Sequence, residues 1–291
     1  MGKFINPFSD WGFKLIFGQE ITKDLLISFL NDLLKGEHTI TDITFKDKEQ
    51  LPEAKNMRGI IYDIYCTTDQ GQHIIVEMQN RYQEHFVDRS LYYASRAIVK
   101  QGVKGEWDYH LAPVYTVCFM NFNIESRSPE KFRTDVCLVD TETGRVFSDN
   151  LRMIYLMLPL FTKEEDECET DFERWIYILK HMETLERMPF EAKKAVYARL
   201  AEICASAKLS AKDRDRYEAS LKAYRDAKAL QYYYDNAESL AFAQGEAQGM
   251  AQGETKAKTS IAKTLYQMGM PVAKIAEATH LTEAEVLAIL R

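Results

Sequence analysis

Residues 59–80 read GIIYDIYCTTDQGQHIIVEMQN. Two apolar runs rich in β-branched and aromatic residues flank a polar turn, which is the pattern of a β-hairpin. Each run carries one acid, Asp63 in the first and Glu77 in the second, and a charge in such a setting is costly unless it is paired or metal-bound. A three-residue loop over residues 69–71 centres the hairpin on Gln70 and pairs residues whose numbers sum to 140, so Asp63 faces Glu77, with side-chain bases about 5 Å apart. A two-residue loop would shift the register by one and send the acids to opposite faces. Carboxylates that close repel each other and raise one pKa unless a divalent cation lies between them. An all-oxygen donor set suits Mg2+ or Mn2+. Gln79 lies two residues beyond Glu77 and shares its face. The plainer reading, in which each acid pairs with a Lys or Arg on an edge or a solvent face, stands beside this one.

Outward from the hairpin the hydrophobic period alternates between helix and strand. Upstream, SDWGFKLIFG and ITKDLLISFLNDLLKG read as helices, the second with Leu25, Leu26, Phe29, Leu30, Leu33 and Leu34 on one face, and residues 39–46 read as a further antiparallel strand. Downstream, residues 84–102 read as a helix whose apolar stripe is Val87, Leu91, Ala94 and Ile98. PVYTVCFMNF suits a strand buried on both faces, and TDVCLVD and RVFSD form a hairpin that is followed by a separate run, LRMIYLML. Beyond Phe161 the chain turns helical, with one helix around Trp175, Ile178, Leu179 and Met182, another over residues 190–207, and a long one opened by the capping box Ser210-x-x-Asp213. The expected parts are a core over residues 1–165, a helical extension over 166–236, a glycine-repeat helix or linker over 237–258 and a small helix-turn-helix-like module over 259–291.

Composition removes several alternatives. Hydrophobic residues make up 46% of the 291 and aromatic residues 12%, too much for a disordered chain, and no apolar run approaches the roughly 20 residues of a membrane span. A soluble cytoplasmic protein is expected. The five cysteines are scattered with no C-x-x-C pair and the six histidines are dispersed, so the thiols read as reduced core residues and a zinc site is not expected. The net charge of −7 gives no global basic field to mark a nucleic-acid partner, although a positive surface can also be confined to a cleft.

The order helix, strand, strand with Asp, strand with Glu-x-Gln, helix resembles the PD-(D/E)XK nuclease superfamily, most closely its Rpn-type recombination-promoting nucleases and transposases. The resemblance rests on PFSDWGFKLIFG at residues 7–18, FLNDLL at 29–34, KEQLPE at 48–53, Val76-Glu77-Met78-Gln79, the helix with Arg89, Tyr92, Tyr93 and Arg96, GEWDYHLAPVYTVCFMNF at 105–122, LPLF at 158–161 and the glycine-repeat tail. It implies a restriction-endonuclease-like α/β fold, a mixed sheet flanked by helices with an all-helical C-terminal extension. It also implies a magnesium-dependent endonuclease acting on DNA in recombination or transposition. By this resemblance Asp63 and Glu77 ligate the metal, the Met78 carbonyl adds a third oxygen, and Gln79 stands where the superfamily has lysine. A glutamine orients the attacking water but carries no charge. Relatives are also expected to carry Glu near Met157 and Lys near Leu160, and those charges are missing here. These departures keep a second reading alive, a non-catalytic DNA-binding or assembly protein on a degenerate nuclease fold.

Several further residues are candidates. Asp10 and Lys14 form an i,i+4 pair on a solvated face, or, as the resemblance suggests, lean over the sheet to serve the metal site or a phosphate. Arg81, Arg89 and Arg96 follow the Glu77 strand, and the last two share a helical face from which they would track a phosphate backbone. Tyr92 and Tyr93 read as core. Gly245, Gly249 and Gly253 lie on one helical stripe, read either as a frayed linker or as the contact of a homodimer. The terminal helix TEAEVLAILR is too acidic to read a major groove.

Overall fold

The computed structural model describes residues 2–50, 59–124 and 131–290. The chain divides into two units, Met1–Ala229 and Leu230–Arg291. The strands are β1 (Ile43–Phe45), β2 (Glu49–Gln50), β3 (Ile60–Ile61), β4 (Ile64–Thr68), β5 (His73–Gln79), β6 (Val114–Met120), β7 (Arg133–Val139) and β8 (Val146–Met157). The helices are α1 (Asp10–Phe17), α2 (Lys23–Leu33), α3 (Phe86–Val99), α4 (Asp171–His181), α5 (Ala195–Cys204), α6 (Ala211–Gln267), α7 (Val272–Thr279) and α8 (Glu283–Leu290).

In the first unit six strands form one mixed sheet in the order β1-β4-β5-β6-β8-β7, parallel at β5·β6 and β6·β8 and antiparallel elsewhere. The parallel pair β5·β6 requires a crossover, and α3 supplies it. All seven residues of β6 are buried, as a strand with layers on both faces must be. On one face Val76, Phe119, Phe13, Phe17, Phe29 and Trp175 belong to a core shared with α1, α2, α4 and α5. On the other, Tyr65 and Ile75 pack with Tyr93, Ala94 and Ala97 of α3. Side chains alternate along a strand, so Glu77 and Gln79 point to the α3 face.

The β4·β5 hairpin has the expected register: Ile64 pairs with Val76 and Thr67 with His73, each pair summing to 140. The turn closes with Thr68 N–H on the Gln72 carbonyl at 2.9 Å and with Gly71 at φ +86, a conformation that favours glycine. The expectation of one unbroken strand through Asp63 is corrected. Ile60–Ile61 pairs instead with β2 in a separate two-stranded sheet, and the β4·β5 ladder begins only at Ile64, because Asp63 N–H donates to the Glu77 side chain at 3.2 Å and the Asp63 carboxylate accepts from Met78 N–H at 2.9 Å. Side-chain bonds there occupy groups that a ladder would use. Residues 51–53 of the KEQLPE run lie outside the described residues.

Three other expectations shift. The two segments expected at 146–157 are one strand, β8. Helix α5 starts at Ala195, after a stretch in which Phe190 takes φ +63. Helix α3 is rotated: Leu91 is 46% exposed, while Phe86, Ser90, Tyr93, Arg96 and Ala97 are buried. Polar partners select that face, since Ser90 Oγ bonds Tyr155 Oη at 2.7 Å and Tyr62 Oη donates to the Tyr93 carbonyl at 3.0 Å.

Helix α1 begins at Ser9, whose hydroxyl accepts from Gly12 N–H at 3.1 Å. A Cβ on Gly12 would lie 2.2 Å from the Asn6 carbonyl oxygen, so the WGF motif needs glycine for a close backbone approach. Asn80 Nδ2 donates to the Phe8 carbonyl at 2.7 Å, which fixes the start of α1 beside the end of β5. All five cysteines are free, and four are buried.

In the second unit Ala262, Ile275, Ala276 and Val286 form a small core. His280 at φ +54 ends α7, and a Thr282/Glu285 capping box opens α8. Residues 237–258 are helical within α6, and a Cβ on Gly245, Gly249 or Gly253 would meet nothing within 4 Å. No helix among the described residues is long and apolar enough to cross a membrane.

Candidate active site

The hairpin register, the break before β4 and the crossover through α3 bring Asp63, Glu77, Gln79 and Arg89 together. Asp63 Oδ2 and Glu77 Oε1 are each held by a backbone N–H of the opposite segment. Asp63 Oδ1 and Glu77 Oε2 have no hydrogen-bond donor among the described residues. Burial raises the pKa of both carboxyl groups. For Glu77, only 3% exposed, the charge of Asp63 raises it further, while the Asp63 N–H, Arg89 and Lys14 act in the opposite sense. Two acids held close and partly desolvated are poised to accept a cation.

Gln79 is reached from α3 through a relay. Gln83 Nε2 donates to Gln79 Oε1 at 3.2 Å, Arg89 Nη1 donates to Gln83 Oε1 at 2.8 Å, and Arg89 Nη2 donates to Tyr93 Oη at 3.0 Å. The guanidinium also lies 5.0 Å from the centre of the Tyr93 ring. Arg89 is thus locked behind Gln79. The face that Arg89 shares with Arg96 turns inward, and Arg96 is 5% exposed; the expected surface track of two arginines is not formed, because that face packs on Tyr62 and the sheet. Arg81 is exposed at the cavity mouth.

A cavity of about 450 Å3 opens on Asp63, lined also by Asp10, Gln79 and Arg81 and by Ser220, Ala223, Tyr224 and Ala227 of α6, with Glu77 buried next to Asp63 and outside the lining. Asp10 pairs with Lys14 at 2.6 Å, so the i,i+4 pair and the position beside the acids hold together. Among the described residues no group of three His, Cys, Asp or Glu side chains gathers to hold a metal, Asp10 included. Two carboxylates nevertheless fit a hard cation such as Mg2+, which keeps several waters and takes one or two carboxylates.

Two contributors were not foreseen. Lys48, half-buried ahead of β2, forms no ion pair among the described residues; burial and Lys14 lower its pKa, while Asp63 and Asp10 raise it. No periodicity marks this lysine in KDKEQ. Its position depends on the Tyr62 N–H bond to the Lys48 carbonyl at 3.0 Å. The second is the α6 wall. Ser220, Ala223, Tyr224 and Ala227 form an i, i+3, i+4, i+7 face, legible in sequence, whose neighbour was not. Trp11 N–H to Ser220 Oγ at 3.0 Å and Asn6 N–H to Tyr217 Oη at 2.7 Å dock it.

Comparison with known proteins gives one match: the family described as PD-(D/E)XK nuclease family transposase matches residues 7–233. No curated protein and no solved structure matches the chain. The matched span runs from before α1, through the mixed sheet and the Asp63/Glu77 pair, into α6, so the chain belongs to the PD-(D/E)XK nuclease family transposases.

Proposed function

We propose that the chain is a metal-dependent DNA endonuclease that hydrolyses phosphodiester bonds in recombination or transposition, and that it works as a homodimer. The observation that carries this reading is the partly desolvated pair Asp63 and Glu77, each with one oxygen fixed by a backbone N–H and the other without a hydrogen-bond donor among the described residues. Asp63 and Glu77, with the Met78 carbonyl, would hold Mg2+ or Mn2+. Such an ion supplies Lewis-acid activation of water and neutralises phosphate charge. Gln79, held by Gln83, orients the attacking water through its amide. Lys48 and Lys14 set positive charge beside the acids, in the part a lysine at position 79 would play. Arg81 at the mouth binds the backbone of the strand.

The test is cleavage of supercoiled plasmid by the full chain with Mg2+ or Mn2+ and in excess EDTA. Cleavage that needs the ion and is abolished by Asp63→Ala and by Glu77→Ala supports the reading. Activity in EDTA, or full activity in both variants, overturns it. Tight DNA binding with no cleavage under any ion would favour a binding or assembly protein.

A further inference from the structure

A second cavity, of about 490 Å3, adjoins the acid cavity, and Gln83 lines both. Its walls include Ile60, His85, Asp88, Arg89 and Tyr92. The volume falls within the roughly 300–1,000 Å3 of small-molecule sites. One wall is apolar and aromatic, from Ile60 and the half-buried Tyr92 ring. The rim carries two exposed acids, Asp88 and Glu84, whose side chains are 80% and 83% exposed, with the His85 imidazole between them at 3.7 and 3.9 Å. Arg89, tied to Gln83 and Tyr93, stands on the side toward the acids. His85, the residue before α3, holds φ +62 with no side-chain cap, a strained conformation for a residue other than glycine, and such outliers cluster at ligand sites.

These features match a nucleobase better than a phosphate. An acidic rim repels phosphate but accepts hydrogen bonds from an exocyclic amino group, as Asp and Glu do with cytosine N4. An aromatic wall stacks on any base face. A base still paired and stacked in a duplex presents neither its face nor its pairing edge, so the occupant must be unpaired. We propose that this cavity takes one unpaired nucleobase bearing an exocyclic amino group, adjacent to a phosphodiester lying at Asp63 and Glu77. The inference rests on the nuclease reading for its biological sense, and it makes single-stranded or locally opened DNA the substrate class. Tyr92, expected in the core with Tyr93, is then a stacking platform, while Tyr93, at 9% exposure, is core.

The experiment titrates the full chain, with Mg2+, against dCMP, dAMP and dTMP by calorimetry. The two amino-bearing nucleotides should bind about tenfold tighter than dTMP. Asp88→Ala combined with Glu84→Ala should remove that preference without changing the unfolding temperature, because both side chains are exposed, and Tyr92→Ala should weaken all three by about tenfold. Equal affinities, an unchanged preference in the Asp88→Ala and Glu84→Ala double variant, or no nucleotide binding would overturn the inference even if the protein cleaves plasmid. The expected pattern with no cleavage of any polynucleotide would keep the base site and overturn the nuclease reading.

Discussion

Asp63 and Glu77 hold each other through the backbone. Asp63 N–H donates to Glu77 Oε1 at 3.2 Å, and Met78 N–H, next along from Glu77, donates to Asp63 Oδ2 at 2.9 Å. The carboxylates are therefore placed by main-chain geometry and need no flexible partner to position them. The break before β4 is the structural consequence.

Burial and the charge of Asp63 hold the Glu77 carboxyl above its ordinary value, so without metal the folded protein keeps a proton that the unfolded chain releases. Stability linked to this group is fully present below the ordinary carboxylate range and falls as pH rises from there through the raised value. Glu77→Gln removes the titration. In EDTA its advantage over wild type should be near zero at about pH 4 and reach on the order of 2 kcal/mol at about pH 9, while cleavage is lost. Denaturant unfolding at several pH values checks this; an advantage independent of pH would contradict it.

Lys48 is half-buried, feels the charges of Asp63 and Asp10, and forms no ion pair among the described residues. Lys48→Met should lower kcat by about 10²-fold and leave the fold intact, because a neutral side chain of similar length relieves desolvation. Gln79→Ala should also lose rate yet keep metal affinity, since it removes no ligand charge. Steady-state kinetics with metal titration separates the two. Unchanged kcat in Lys48→Met would remove it from the site.

The three arginines differ by burial. Arg81→Ala should weaken DNA binding at all sequences, reduce the slope of log affinity against log salt by about 1, and leave stability unchanged. Arg96→Ala should instead destabilise the protein by about 3 kcal/mol, the cost of disturbing a buried charge. Binding isotherms at several salt concentrations, with thermal melts, test both; a pure binding defect in Arg96→Ala would show that the residue reaches DNA.

The glycines of α6 meet no side chain within their own unit, and Leu240, Phe242 and Met250 on the same helix are exposed. If two copies pair there through the close approach that glycine permits, Gly249→Leu should shift the mass from dimer to monomer while cleavage-competent folding persists. As a lone helix the same change only adds about 1 kcal/mol of helix propensity. Light scattering on both proteins decides; a monomeric wild type would end the homodimer reading.

Periodicity was enough to give the hairpin and the face shared by Glu77 and Gln79, because those depend on residues a few positions apart, whereas the choice between the two candidate registers came with the turn bond from Thr68 N–H to the Gln72 carbonyl. The need for glycine at position 12, where a Cβ would lie 2.2 Å from the Asn6 carbonyl oxygen, is equally local but emerged only from the structure. Helix α3 was misread by rotation, since its buried face was chosen by Ser90 meeting Tyr155 and Tyr62 meeting Tyr93, partners from distant strands that hydrophobicity does not encode.

The sequence by itself determined a hairpin with one acid in each arm and the α/β class with a helical C-terminal extension. Only the tertiary structure decided that Asp63 breaks its strand to bond Met78 N–H, that Arg96 turns inward, that Lys48 comes to the acids, and that Ser220, Ala223 and Ala227 wall the cavity. The physical reason is range. Strand pairing and amphipathic faces follow from repeats of two and 3.6 residues, whereas a site assembled from α1, the hairpin, α3 and α6 depends on how layers pack, and packing is settled by burial and hydrogen-bond satisfaction across the whole unit.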